Sequence, residues 1–355
     1  MSSKRLLIIN PGSTSTKVAV FEDSNPIATE TLRHSAEEIS QYPAIMDQLE
    51  FRKNTILDFL KNANIAQETL SCVVGRGGTL PPMEGGVYVA DDALIKALID
   101  NNKGHASTLG GIIAKEIADS LNIPSFIVDS VTTDELDDIA RYSGIPEIQR
   151  RSIFHALNQK AVARRAAAML NTTYDEANFV VVHLGGGISI GAHKCGKVVE
   201  VNNALEGEGP YSPERSGGLP INAFVNLCFS GSVSYEEMKK KVVGKGGLVA
   251  YYGTNNLLDV EKACDAGDRD AKLYYEGMAY QVAKEVGKCA TALSGKVDAI
   301  LLTGGAARSK MLVEWIKSRV EFIANVMVFP GEDEMEALAE GGMRVLLGDE
   351  VAKYV

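Results

Sequence analysis

The sequence predicts a duplicated α/β fold: two halves, each a mixed sheet with helices on its faces. Three observations carry this. The stretch LLIINPGSTSTKVAVF at 6–21 is matched by FVVVHLGGGISIGAHK at 179–194, with Asn10 and His183 at the same point of the pattern. Each copy is an apolar run, one polar residue, a glycine-and-hydroxyl turn and a second extended run, and an apolar run of that length reads as a buried strand. Each half then continues as ββ(β)αβαβα, an order that gives a mixed sheet with helices packed on it. At 355 residues the chain holds material for about two domains, each with its own core.

The elements follow in order. Two strands flank the first turn, and a third is expected at 27–32. A helix is expected over 45–62, and SCVVG at 71–75 is a short buried strand that runs into the polar turn RGGT at 76–79. Helices are expected at 91–101 and 108–121, then a strand, SFIVD, at 125–129 that ends on a carboxylate. Residues 146–170, rich in Arg and Ala, are expected to be helical. The second half repeats the scheme, with strands at 179–184, 189–193 and 197–202 and helices near 223–229, 235–243, 270–293 and 310–319. AILLT at 299–303 is a strand that enters GGAAR, and 326–330 is the last strand. A helix at 336–347 is expected to return to the first domain. The domains are therefore expected at 1–154 plus 335–355 and at 155–334. No Gly/Ser-rich linker separates them.

Composition excludes several classes. An apolar share of 45% and a charged share of 23% are ordinary for a soluble globular protein. A net charge of −10 argues against a nucleic-acid binder but not against anionic substrates, since a local basic pocket can sit in an acidic protein. No run reaches membrane-spanning length, and MSSKRLLIIN lacks a signal peptide's apolar region and cleavage site. The five cysteines are scattered, odd in number and outside any CxxC pair. A disulfide framework or structural metal is not expected, and cytoplasmic residence is.

The turns suggest chemistry. Turns of this composition reverse the chain and aim backbone N–H groups at anions. A P-loop or dinucleotide fingerprint requires a helix after its glycines. Here KVAVF follows the first turn, and Ile188, Ile190 and Ala192 alternate with small residues after the second. Both motifs read as β-hairpins. A single glycine turn is as often an ordinary tight hairpin, but two in register point to a polyphosphate held from both sides of a cleft.

The order NPGSTSTK, GRGG, VDS, VHLGGGISIG, EGEGPYSPERSGGLP, LLTGGAARS and FPGEDE resembles the acetate kinase (acetokinase) family of the actin and sugar-kinase fold superfamily. The resemblance covers essentially the whole chain. GRGG at 75–78 and EGEGPYSPERSGGLP at 206–220 look like its butyrate kinase branch. Acetate kinases carry an Asn- and Ser-rich second phosphate turn where this chain has GGGIS, and they differ around Arg215. The resemblance implies duplicated ribonuclease H-like domains with the site in the interdomain cleft. It also implies ATP/ADP and Mg²⁺ as cofactors, the reaction ATP + butyrate ⇌ ADP + butyryl phosphate, and a homo-oligomer. Acetate or propionate kinase activity, or a nucleotide-gated actin-like binding protein, are the alternatives.

Phosphoryl transfer asks a protein mainly for positioning and charge neutralisation. A carboxylate acceptor titrates near ~4 and is already ionised at neutral pH, so no general base is needed. Cations are. Arg76 and Arg215 each lie in a Gly-flanked turn, and a guanidinium offers planar bidentate donors. A lone loop Arg is usually just solvated; by resemblance Arg76 holds the acyl carboxylate and Arg215 the migrating phosphoryl group.

His183 matches a transition-state histidine of the family, although a histidine ending an apolar strand is often a satisfied core residue. His105 matches a second family histidine or caps the following helix. Asn10, Ser13, Ser15 and Lys17 make the first phosphate turn; Lys17 reads equally as an edge charge. Gly185, Gly186 and Gly187 make the second. Asp129 organises Mg²⁺ by resemblance, or caps a helix. Among Glu332, Asp333 and Glu334, the reading selects Glu334 for Mg²⁺, with Asn10; the three also suit a helix N-terminus. Gly304, Gly305 and Ala306 lie against adenine by resemblance, or form a simple strand-to-helix turn.

Overall fold

A computed structural model of the chain describes residues 3–102 and 104–354. The chain folds as two compact units, Met1–Thr133 with Asp333–Val355, and Asp134–Glu332.

In the first unit the strands are β1 (Arg5–Pro11), β2 (Ser15–Glu22), β3 (Asn25–Arg33), β4 (Cys72–Arg76), β5 (Val87–Val89) and β6 (Ser125–Val128), in the sheet order β3-β2-β1-β4-β6-β5. β1 pairs antiparallel with β2 and parallel with β4, which makes the sheet mixed. Leu6 to Ile9 of β1 have no exposed surface, as a strand covered on both faces requires. The period of two divides them. Leu7 and Ile9 pack with Val18 and Val20 against Ile56, Leu60, Leu109 and Ile113 of the helices Leu49–Asn62 and Thr108–Leu121. On the other face the helix Glu334–Leu347 brings Gly341 and Gly342 against Val128, Val74 and Leu6.

The second unit holds β7 (Asn178–Leu184), β8 (Ile188–Lys194), β9 (Lys197–Val201), β10 (Ala299–Gly304) and β11 (Val326–Pro330), in the order β11-β10-β7-β8-β9. Val180 and Val182 pack on Met278, Ala279 and Val282 of the Arg269–Ala292 helix. Phe179 and Val181 pack on Val162 and Ala166 of the Ala156–Met169 helix. Numbered by appearance within each unit, both sheets run 3-2-1-4-5, with β5 as an extra edge strand in the first. Duplication is therefore visible in the topology. Both predicted turns are antiparallel hairpins, and Asn10 and His183 each stand one residue before the end of the two central strands.

Three sequence expectations are corrected. Only Ala156–Met169 of the 146–170 stretch is α-helical. Upstream of it, Arg150 reaches the carbonyls of Ala140 and Val201 and the Glu200 carboxylate, and Tyr142 pairs with Gln149, so this stretch is held as a loop by long-range bonds. The units divide at Thr133/Asp134, upstream of the 154/155 boundary expected. Glu135 explains this: its carboxylate bonds Lys160 Nζ at 2.6 Å and accepts from the Val198 N–H, both in the second unit. Helices Gly247–Tyr252 and Leu257–Asp265 were not expected.

Candidate active site

Within the first unit, strand ends gather one polar cluster. Asn10 stands one residue before the end of β1 and is 4% exposed, and Arg76 closes β4, the parallel neighbour of β1. Glu334 opens the last helix, just after Asp333 in left-handed backbone (φ 42°). Arg76 Nη1 lies 2.7 Å from Glu334 Oε1 and donates to Asn10 Oδ1 at 3.2 Å. Asn10 Nδ2 donates to Glu334 Oε2 at 2.7 Å. A cation, an amide and a carboxylate thus form a closed triangle. Lys17 is the cross-strand partner of Asn10, so its side chain leaves the same face of the sheet. It is exposed and makes no ion pair among the described residues.

The first turn is built from beneath by Arg52, which sequence reading missed. This guanidinium has no exposed surface. It donates to the carbonyls of Gly12 (2.9 Å), Ser13 (3.2 Å) and Ser15 (3.1 Å), to Thr16 Oγ1 (2.9 Å) and to Gln48 Oε1 (3.0 Å). Burial lowers its pKa to about 10, which leaves it charged at neutral pH. With the carbonyls drawn inward, the hydroxyls of Ser13 and Ser15 carry no hydrogen bond among the described residues. Arg52 lay in a helix with no glycine beside it, and nothing local marked it.

Asp129 follows β6 directly, in left-handed backbone (φ 37°), and its Oδ1 accepts from the Gly86 N–H at 2.8 Å. No helix begins there, so it is not a helix cap. His105 Nδ1 accepts from the Ser107 N–H at 3.2 Å, at the entrance of the Thr108–Leu121 helix. Burial first, and Arg76 second, hold its pKa below the usual range.

In the second unit the GGGIS turn is a bed for Arg215. A Cβ on Gly187 would lie 1.5 Å from Arg215 Nη1, so only glycine leaves room for the guanidinium. Nη1 donates to the Ala204 carbonyl at 2.7 Å, whereas the buried Nε has no partner among the described residues. Ser212 Oγ ties the Arg215 turn to this bed, donating to the Gly186 carbonyl at 2.6 Å. Burial lowers the Arg215 pKa, and Glu214 acts the other way.

His183 is 3% exposed, and its ring lies flat on that of His155, centroids 3.7 Å apart and 8° from parallel. Sequence reading missed His155, which sits in RRSIFHALNQ inside the 146–170 stretch taken for helix and directly before the helix that forms. His183 Nδ1 meets Asn158 Oδ1 at 2.7 Å, and Asn158 Nδ2 donates to the Glu332 carbonyl at 2.7 Å. His155 Nδ1 meets Ser189 Oγ at 2.8 Å. Gly304 ends β10, and Gly305 and Ala306 form the 3₁₀ turn Gly305–Arg308 before the Lys310–Val320 helix.

The donors that could take Mg²⁺ are few and hard. Of the three acidic residues at 332–334, the side chains of Glu332 and Asp333 are exposed, and Glu334 stands in the polar triangle. Among the described residues no three His, Cys, Asp or Glu gather as an all-protein metal site. Mg²⁺ commonly takes one or two carboxylates and keeps water and phosphate for the rest. Each Glu334 oxygen has one donor and a spare lone pair, so the set fits such an ion.

Comparison with known proteins agrees with the topology. The acetate kinase of Porphyromonas gingivalis shares 20% identity and superposes with a TM-score of 0.80, over 97% of this chain and 100% of that one. A propionate kinase from Francisella tularensis shares 19%, TM-score 0.75, over 95% and 98%. A ROK family protein from Streptococcus pneumoniae in complex with sucrose shares 10%, TM-score 0.53, over 97% and 99%, which places the fold among actin and sugar-kinase-like folds. The description of the Acetokinase family matches residues 142–354, more than half of the sequence. With both hairpins, the doubled sheet and this match together, the chain belongs to the acetokinase family.

Proposed function

We propose that this chain is a butyrate kinase, transferring the γ-phosphoryl group of ATP to the carboxylate of butyrate or a similar short acid, reversibly. The observation that carries the reading is the Arg215 guanidinium set into the Gly187 bed, with a buried Nε that has no partner among the described residues. A phosphoryl oxygen is the acceptor such a group lacks. The butyrate assignment rests on the GRGG and EGEGPYSPERSGGLP sequences.

In this reading a carboxylate oxygen attacks the terminal phosphorus. The new C–O–P bond forms as the bond to the bridging oxygen breaks, and ADP departs with that electron pair. No proton has to move. Arg76 holds the carboxylate, Arg215 neutralises the equatorial oxygens, and the stacked histidines donate to them. Asn10, Ser13, Ser15 and Lys17 take phosphate oxygens at one turn and Gly185 to Gly187 at the other, with Gly304, Gly305 and Ala306 beside the adenine. Glu334, with Asn10 and Asp129 nearby in role, would hold Mg²⁺, which supplies charge neutralisation of the phosphates when bound. We also infer a homo-oligomer, because Ile221 (75%) and Phe229 (87%) expose large apolar surface.

The deciding experiment is a hydroxamate assay for acyl phosphate with acids of two to six carbons. Butyryl hydroxamate formed at the highest kcat/KM supports the reading. Preference for acetate or propionate would overturn the butyrate assignment, and ATP hydrolysis without acyl phosphate would overturn the kinase. Each methylene is worth about 0.8 kcal/mol of burial, roughly fourfold, so a graded series is expected.

A further inference from the structure

The acidic member of the Arg215 turn has no part in the phosphoryl-transfer reading. Glu214 precedes Arg215 in SPERSGG and is half-buried. Its backbone is tied down. The Glu214 carbonyl accepts from the N–H groups of Gly244 (2.8 Å) and Gly246 (3.3 Å), and the Pro213 carbonyl accepts from the Val249 N–H (2.9 Å). Its side chain lies against the second phosphate turn. A Cβ on Gly186, the exposed glycine of that turn, would stand 3.5 Å from Glu214 Oε1 and 3.8 Å from its Cδ. Oε2 accepts from Asn255 Nδ2 at 3.3 Å. Among the described residues Oε1 has no hydrogen bond, and the carboxylate has no ion pair.

The turn therefore carries opposite charges at adjacent glycines, and they do not neutralise each other by contact. The Arg215 guanidinium sits in the Gly187 bed, and the Glu214 carboxylate stands at Gly186. Glu214 acts on Arg215 through space, working against burial in setting its pKa. A bare polyphosphate meets this arrangement badly. Its oxygens suit the guanidinium but face the carboxylate as like charges. At a separation of about 5 Å on a partly solvated surface, that repulsion weakens binding by roughly tenfold. A polyphosphate that carries a divalent cation meets it well, because the cation offsets the repulsion. Mg²⁺ suits such a setting, since it takes one or two carboxylates together with phosphate oxygens.

We propose that Glu214 is a specificity-determining residue of the nucleotide site: it makes the second phosphate turn refuse free polyphosphate and accept the Mg²⁺ complex. The inference rests on the kinase reading above, which puts phosphate oxygens at Gly185 to Gly187. Arg215 alone attracts either form of the nucleotide. The carboxylate beside it is what tells them apart.

The test is calorimetric titration of the full-length protein with the non-hydrolysable ATP analogue AMPPCP, in EDTA and in excess Mg²⁺. Wild type is expected to bind the Mg²⁺ complex more tightly than the free analogue. Glu214→Gln keeps the size of the side chain and an acceptor for Asn255. It should tighten metal-free binding about tenfold and leave the Mg²⁺ complex bound no tighter than in wild type, so that the ratio of the two Kd values shrinks by about tenfold or more. Glu214→Ala should shrink the ratio likewise, and Glu214→Asp, which keeps the charge, should stay within about threefold of the wild-type ratio. A Glu214→Gln ratio equal to that of wild type overturns the proposal. So do two arms weakened alike, which is the result a purely structural role requires. Equal affinity of wild type for the two forms also overturns it and leaves the kinase reading standing. A wild-type protein that binds neither form sinks the nucleotide reading, and the proposal with it.

Discussion

Adding one methyl group at Gly187 should disable the Arg215 site without removing any charge. The Cβ would lie 1.5 Å from Arg215 Nη1 and 2.7 Å from its Cζ. Ordinary contact between such atoms is about 3.5 Å, so the guanidinium must retreat by roughly 2 Å. It would also lose the 2.7 Å bond to the Ala204 carbonyl. Misplacing a catalytic group by about 1 Å can cost about a hundredfold. Gly187→Ala is therefore expected to lower kcat at least about a hundredfold in the hydroxamate assay, while ATP binding measured by calorimetry stays within about threefold. The backbone at Gly187 is not in the left-handed region, so alanine does not strain it and the variant should fold. A folded Gly187→Ala protein with wild-type kcat would refute the role given to Arg215.

Other perturbations separate scaffold from chemistry. Arg52→Met strands the acceptors of the first turn and should destabilise the protein by about 3 kcal/mol or more, read by denaturant midpoint. Lys160→Met leaves the Glu135 carboxylate buried at 3% exposure and should cost about 3–5 kcal/mol; adding Glu135→Leu should recover most of it. Burial depresses the folded pKa of His34 and, further, of fully buried His193. The unfolded chain then binds more protons in acid, so their contribution is complete above about pH 6.5 and declines as pH falls below it, which thermal melts from pH 8 to 5 should show. Gly287, inside the Arg269–Ala292 helix with open space around its Cβ position, should accept alanine with a gain of about 0.5–1 kcal/mol. Sedimentation should give more than one copy per particle, and Phe229→Ser should weaken that association.

What the sequence disclosed and what it concealed divide along physical lines. Strands such as β1 and β7 hold apolar runs, Leu6–Ile9 and Phe179–Val182, each followed by one polar residue and turn chemistry, and both were visible together with their duplication. The Thr108–Leu121 helix was read to its ends, because its period and flanking residues agree. Arg76 and Arg215 stood out because each lies in a glycine-flanked turn, whereas Glu334 was selected from three adjacent acidic residues by resemblance alone. Arg52 and Asn158 did not, since each sits in the first turn of a helix with no glycine beside it and takes its role from partners distant in sequence. The 146–155 stretch was misread for the same reason: its arginines look like helix formers, and only Glu200 and the Ala140 and Val201 carbonyls, remote along the chain, explain the loop.

The clasp of Arg52 around the first turn has one further implication. A loop whose carbonyls are all spoken for cannot wait for its anion to give it shape. Its order is acquired once, when the polypeptide collapses, and the incoming ligand meets a finished socket. Association at that hairpin should thus show little change in heat capacity from loop ordering, and its rate should be set by diffusion and charge.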